Sequence, residues 1–230
     1  MNRDRKIYAV VPVKETWHAK QRLGPVLGAT RRQQLALAML EDVLAALARA
    51  RELAGILVVT IDEAATLIAA RHGARVVREG ACAGHSGAVA AAARQLAGET
   101  HAMLTLPGDV PLVEPDDIRA LIAAHGSAVA ASGGGFQIVP SRDERGSNAV
   151  LCSPAEAVPL RFGDNSFLPH LWAAKHCGMN PCILRLPRVA LDIDTPEDLA
   201  LLLQRGTQTR AAALLAQWQL RQGRRTRATA

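Results

Sequence analysis

The sequence predicts an α/β fold on a mainly parallel sheet, and three observations carry that prediction. Short β-rich apolar runs alternate with longer stretches of helical periodicity from Ile7 to about residue 124, the pattern of parallel strands joined by right-handed crossovers. A chain of 230 residues suffices for one sizeable α/β domain. With 49% apolar and 21% charged residues, the composition is that of an ordinary globular protein.

Residues 7–12 read as a buried first strand, short, β-rich and ended by Pro12. A loop from Val13 to about Gly28 leads to a helix over 29–50, with Thr30 as its cap and Leu40, Val43, Leu44 and Leu47 on one face. Strands over 56–61 and 75–77 flank a short helix over 63–72, and a loop over 79–87 enters an Ala-rich helix ending near 97. The strand at 102–106 stops at Pro107-Gly108 and presents Asp109. A helix is expected from Pro115 to about 124, then strand-like runs at 127–132, 136–139 and 148–151. Residues 166–177 form a helix and 182–186 a strand; Asp192–Asp194 is extended, and Pro196 opens a helix to Gln204. Residues 1–204 thus make one domain, followed by a basic tail over 205–230 that is helical to about 220 and frayed beyond.

The formal charge of +6 sits in that tail, which holds Arg205, Arg210, Arg221, Arg224, Arg225 and Arg227 and no acid. The body balances its acids and bases, so a nucleic-acid partner is not expected, although the tail offers that alternative. No apolar run is long enough to span a bilayer and residues 1–12 lack a signal-peptide pattern, so a cytoplasmic protein with no membrane partner is expected. A homodimer is left open. Cys82, Cys152, Cys177 and Cys182 form no C-x-x-C pair, so they read as small buried thiols and not as a zinc site.

Ligands of open α/β sheets bind beyond the carboxyl ends of the strands, where Asp109 stands. In Leu191-Asp192-Ile193-Asp194, extended backbone sends both carboxylates to one face and Ile193 to the core. With Asp109 they make an oxygen-rich set suited to Mg²⁺; the plainer role, capping the helix at Pro196, explains Asp194 or Thr195 but not Asp192. Lys14, Lys20 and Arg22 follow the first strand, where a triphosphate would arrive and cations would neutralise it; as isolated bases they would be solvated surface residues. Neither a Walker A nor a G-x-G-x-x-G pattern is present. Gly146-Ser147-Asn148 and Phe162-Gly163-Asp164-Asn165-Ser166 join small residues to hydroxyl and amide groups, the second at a helix start that suits an anion as well as a Ser166 cap. The seven histidines are scattered, with no Ser-His-Asp or Cys-His arrangement. A phosphate nucleophile needs no general base, because it is ionised near pH 7.

Together these motifs resemble the 2-phospho-L-lactate guanylyltransferases of coenzyme F-420 biosynthesis and their relatives acting on phosphoenolpyruvate and 3-phosphoglycerate. The carrying segments are Val11–Lys14 with Ala19–Leu23, Leu106–Leu112, Gly146–Ala149, Phe162–Phe167 and Leu191–Pro196. The resemblance spans about Ala9 to Leu202. It implies a Rossmann-like mixed sheet flanked by helices, of the nucleotide-diphospho-sugar transferase (glycosyltransferase-A) type, with GTP and a small phosphorylated acid as partners; a nucleotidyltransferase of the same fold acting on a molybdopterin or a sugar phosphate is the alternative, which the short acceptor loops and few aromatic residues disfavour. It implies Mg²⁺ on Asp109, Asp192 and Asp194, catalytic roles for Lys20, Arg22 and Asp109, and a triphosphate facing Lys14, Lys20 and Arg22. Pro107, Gly108, Gly84 and Ser86 would border the nucleotide, and Asn148, Gly163 and Ser166 would receive the acid. Ser86-Gly87 stands where the family commonly carries Leu-Asn, and Gln21 where it carries a small Ser.

Overall fold

The computed structural model describes residues 6–98 and 102–228, with side chains described as far as Leu220. Seven strands form one mixed sheet: β1 (Ile7–Pro12), β2 (Gly55–Val59), β3 (Arg75–Val77), β4 (Ala102–Thr105), β5 (Gly135–Pro140), β6 (Ser147–Ser153) and β7 (Pro181–Ile183). Their order is β3-β2-β1-β4-β6-β5-β7. Strands β1 to β4 run parallel, and β6 alone runs against its neighbours. The helices are α1 (Ala29–Arg49), α2 (Glu63–Arg71), α3 (Gly84–Gln95), α4 (Pro115–Ser132), α5 (Phe167–His176), α6 (Pro196–Arg205) and α7 (Arg210–Ala228).

The chain winds from β1 outward to β2 and β3, then returns to lay β4 on the other side of β1. Such a reversal opens a crevice at the carboxyl ends of the two strands it separates. The loops after β1 and β4, with Lys14, Lys20 and Asp109, therefore meet there. Because β6 is antiparallel, with Val150 opposite Thr105, its first residues Ser147 and Asn148 come to the same edge.

Helix α1 serves two cores. Leu40, Val43, Leu44 and Leu47 cover the sheet, while Leu35 and Met39 pack with Leu191, Ile193, Leu202, Leu215 and Trp218. The segment read as a basic tail thus supplies buried Ala211, Leu215 and Trp218 to the core. The start of α7 is tied down by Asp42, whose two carboxylate oxygens accept the backbone N–H groups of Arg210 and Ala211, each at 2.9 Å. The Arg-rich end, expected to fray beyond about residue 220, continues instead as helix to Ala228.

Several local expectations are corrected. The run 127–132 is not a strand: α4 continues through it to Ser132, because Ala-rich sequence sustains the helix until Gly133 turns left-handed at φ 78°. Gly28, not Thr30, precedes α1, and Thr30 lies inside the helix. The last strand spans Pro181–Ile183 rather than reaching 186. Only Cys152 is buried, whereas Cys82, Cys177 and Cys182 are exposed. Among the described residues no helix is long and apolar enough to cross a membrane.

Candidate active site

Two cavities of about 420 and 390 Å³ lie side by side at the crevice. His85, Pro107, Asp109 and Asp194 line both and form their common wall. The smaller carries Lys14 and Lys20 from the β1 loop, with Gly108. The larger carries Arg22, Arg142, Arg145, Ser147, Asn148, Gly163, Ser166 and Asp192. All three expected carboxylates therefore reach one cavity wall. Arg22, expected beside the two lysines, stands on the other side of the wall from them.

The 192–194 segment is brought to Asp109 by a backbone bond, the Ile193 N–H donating to the Asp109 carbonyl at 3.1 Å. Ile193 is fully buried, so extended alternation leaves Asp192 and Asp194 on the cavity side. Helix α6 is capped by Thr195 in a capping box with Asp198, which leaves the Asp194 carboxylate free of that duty. Asn148 donates to the Asp192 carboxylate and to the Val189 carbonyl, each at 3.0 Å.

Lys20 sits between two of the carboxylates, with Nζ 2.5 Å from Asp109 Oδ2 and 2.7 Å from Asp194 Oδ1. Burial opposes its charge, but Asp109 and Asp194 outweigh burial and raise its pKa, so it is an ammonium at all ordinary pH. Its backbone is left-handed, with φ 56° and ψ 45°, a conformation costing a non-glycine residue about 1–2 kcal/mol. Such strain persists where the surrounding structure over-determines the residue. Here it turns the Lys20 side chain out of the loop and onto the wall.

The loop bearing Lys14 and Lys20 is anchored by Asp62, whose Oδ2 accepts the Thr16 N–H at 2.8 Å and the Thr16 hydroxyl at 2.6 Å. Its Oδ1 accepts the Ala65 N–H, capping α2. Burial works against this carboxylate's charge, but the bonds from Thr16 and Ala65 prevail and hold its pKa below the usual value. A depressed folded pKa contributes stability that is present above the unfolded pKa and lost as pH falls through the folded one. Asp62→Ala is therefore expected to lower the melting temperature, with a deficit that is full at pH 7 and closes below about pH 4. Thermal melts across that range test it.

Among the described residues no group of three or more His, Cys, Asp or Glu side chains is arranged as a ready metal centre, and Lys20 already occupies the place between Asp109 and Asp194. Yet Asp109 Oδ1 is buried without a hydrogen-bond partner. Burial, then the charges of Asp109 and Asp194, push the Asp192 pKa up. Two of these three carboxylates share one buried ammonium and Asp192 has none beside it, while Arg22 reaches Asp194 only at 3.9 Å and is largely exposed. An under-neutralised set of hard oxygen donors fits a divalent cation, with Asp109 and Asp192 offering the unspent oxygens.

Gly84 and Ser86, expected to border the nucleotide, line neither cavity. Gly84, at φ 73°, starts α3, and Ser86 is spent on the neighbouring loop, its Oγ accepting the Phe162 N–H at 2.8 Å. The residue between them, His85, lines both cavities instead. Burial, reinforced by Lys14 and opposed by Asp109, lowers its pKa to about 4, so its imidazole is neutral. Sequence reasoning also passed over Arg142, which lines the larger cavity and pairs with Asp198 at 2.8 Å.

On the larger cavity's far side, Gly163 holds φ 144°, a backbone state that side chains rarely adopt. Ser166 precedes α5 as expected, but its hydroxyl does not cap the helix; it reaches Ser147 Oγ at 3.5 Å. The first N–H of α5, on Phe167, is taken by the Arg145 carbonyl at 3.0 Å, so it is not available to an anion.

Known proteins resemble this chain in sequence and in fold. Residues 7–225 match the family described as Guanylyl transferase CofC like. The phosphoenolpyruvate guanylyltransferase of Roseiflexus castenholzii is 37% identical over 95% of this chain and 98% of its own. That of Rubrobacter xylanophilus is 40% identical over 84% and 92%. The 2-phospho-L-lactate guanylyltransferase of Methanothermobacter thermautotrophicus is 32% identical over 91% and 90%. In fold, the chain is similar to a 4-diphosphocytidyl-2C-methyl-D-erythritol synthase, with TM-score 0.60 and 17% identity over 87% of this chain and 98% of the other. It is also similar to a CMP:2-keto-3-deoxy-manno-octonic acid synthetase, with TM-score 0.56 and 13% identity over 92% and 99%. A switch-point crevice, carboxylates and cations on one wall, and relatives of this kind over nearly the whole length place the chain in the CofC-like guanylyltransferases, a family of nucleotidyltransferase enzymes.

Proposed function

We propose that the chain joins GMP from GTP to a small phosphorylated carboxylic acid and releases pyrophosphate, in the cytoplasm, as a step of coenzyme F-420 biosynthesis. Phosphoenolpyruvate is the first acceptor to try, because the relatives at 36–40% identity carry that name; 2-phospho-L-lactate and 3-phospho-D-glycerate are the others. The observation that carries this reading is the shared wall: one cavity holds lysines and Gly108, the other holds arginines and small polar groups, and they meet at Asp109 and Asp194, which Lys20 bridges from the smaller one.

In this reading the triphosphate lies on the Lys14 and Lys20 side and the acid on the Arg22, Asn148, Gly163 and Ser166 side. An oxygen of the acid's phosphate attacks the α-phosphorus in line, the α–β bridging bond breaks, and its electron pair leaves with pyrophosphate. Asp109 and Asp192 would hold Mg²⁺, with Asp194 beside them, and the cation supplies charge neutralisation to the phosphates. Lys20 and Lys14 add fixed positive charge on the leaving-group side. No side chain takes a proton from the nucleophile, whose second pKa is about 6; His85 is a neutral wall residue.

Pyrophosphate release from GTP is the test, run with each of the three acids, with an unrelated sugar phosphate, and with EDTA. Turnover with at least one acid, absent with the sugar phosphate and abolished by EDTA until Mg²⁺ is restored, is the expected result. Turnover only with the sugar phosphate, or activity indifferent to EDTA, would contradict it.

A further inference from the structure

Behind the larger cavity lies a buried histidine that the mechanism above does not use. His170 is 1% exposed and packs edge-on to Phe162, with ring centroids 4.9 Å apart. Its Nε2 receives the backbone N–H of Arg161 at 2.9 Å. A backbone N–H can only donate, so Nε2 carries no proton. Burial, with His85 nearby, lowers the pKa to about 4 and keeps the ring neutral. The single ring proton therefore sits on Nδ1, which lies 2.9 Å from Ser147 Oγ and donates to it.

That assignment fixes the polarity of Ser147. Its oxygen accepts from His170 and, at 3.5 Å, from the Ser166 hydroxyl. What it has left to give is its own proton, and Ser147 lines the larger cavity. A hydroxyl normally offers either polarity; here the imidazole commits it to donating. The same imidazole holds the Arg161 backbone next to Phe162 and Gly163, on the other side of that cavity.

We propose that His170 is a positioning residue for the acid: it holds Ser147 as a committed donor toward an anionic oxygen and fixes the 161–163 loop around it. The inference deepens the guanylyltransferase reading and rests on it for the identity of the cavity's occupant.

Three variants and one spectrum test it. His170→Phe keeps the ring's bulk and removes both bonds, so KM for phosphoenolpyruvate should rise about tenfold, with KM for GTP and kcat each within about twofold. His170→Asn retains a donor near the Nδ1 position and should recover most of the loss; His170→Ala should not. A KM for GTP rising in parallel, or an unchanged KM for the acid, would overturn the role. The spectrum covers a variant that fails to fold. Long-range ¹H–¹⁵N correlations of the wild-type chain near pH 7 should show a neutral His170 protonated on Nδ1, and phosphoenolpyruvate should shift that signal. A ring protonated on Nε2, an imidazolium, or no response to phosphoenolpyruvate would sink the proposal. Absence of turnover with every acid would instead sink the guanylyltransferase reading, and the spectrum would still decide the tautomer.

Discussion

Asp109→Asn is expected to abolish guanylyl transfer, lowering kcat by about 10²–10³-fold or more, while the chain stays folded. Asp109 alone joins every feature of the shared wall. Its Oδ2 meets Lys20, its Oδ1 is a buried oxygen without a partner, and its carbonyl accepts the Ile193 N–H. The Asn side chain keeps the shape and one carbonyl oxygen toward Lys20 but removes the charge. The backbone tie to Ile193 is untouched, and Lys20 retains Asp194. Folding should therefore survive, which circular dichroism melting checks, while pyrophosphate release reads the chemistry. Near-normal turnover in this variant would remove the carboxylate from the mechanism.

Lys20→Met is expected to cost both turnover and stability, and the stability loss should depend on pH. Removing one partner of a buried ion pair costs about 3–5 kcal/mol when the pair is fully sequestered. Asp109 and Asp194 are 30% and 39% exposed, so solvent screening reduces the expectation to about 2 kcal/mol at pH 7. Without the ammonium, Asp109, Asp192 and Asp194 face one another uncompensated. The attraction that Lys20 supplies exists only while its carboxylate partners are ionised, so the deficit against wild type should be greatest near pH 7 and shrink toward about pH 4. Urea unfolding at the two pH values measures it, and a deficit constant with pH would mean that Lys20 does not neutralise these carboxylates.

Much of the fold and part of the site were legible in the sequence, for physical reasons. Parallel strands buried on both faces are continuous apolar runs, so β1, β2 and β4 announced themselves, and Pro107-Gly108 marked the strand end that carries Asp109. Alternation in Leu191–Asp194 sufficed to put Asp192 and Asp194 on one face. The run 127–132 misled because it is a short mostly apolar stretch around Val129, bounded by Ser127 and by Ser132-Gly133 as strand runs are, whereas the helix already begun at Pro115 extends through Ala128, Ala130 and Ala131 at little cost. α7 was read as a tail because its arginines dominate the count, while the apolar stripe of Ala211, Leu215 and Trp218 needs α1 opposite it to acquire meaning.

In the site, what could not be read was which neighbour each group would face. Gly84 and Ser86 flank the one residue of that turn that reaches both cavities, and only the left-handed turn at Gly84 brings His85 to the wall while sending Ser86 to Phe162. Lys20 between Asp109 and Asp194 joins positions 89 and 174 residues apart, a pairing that spacing does not encode. The Arg161–His170–Ser147 chain hides for the same reason: His170 sits on a mostly apolar helix, and its two bonds come from a loop and a strand that precede it.

Everything turns on whether nucleotide and divalent cation meet at the wall between the two cavities. Crystals grown with Mn²⁺ and a non-hydrolysable GTP analogue answer this through the anomalous signal of the metal. The expected result is a peak on the carboxylates of Asp109 and Asp192, with the triphosphate on the Lys14 side and Lys20 turned from Asp194 toward a phosphate oxygen. A metal peak away from Asp109, or nucleotide bound while Lys20 still bridges Asp109 and Asp194, would contradict it.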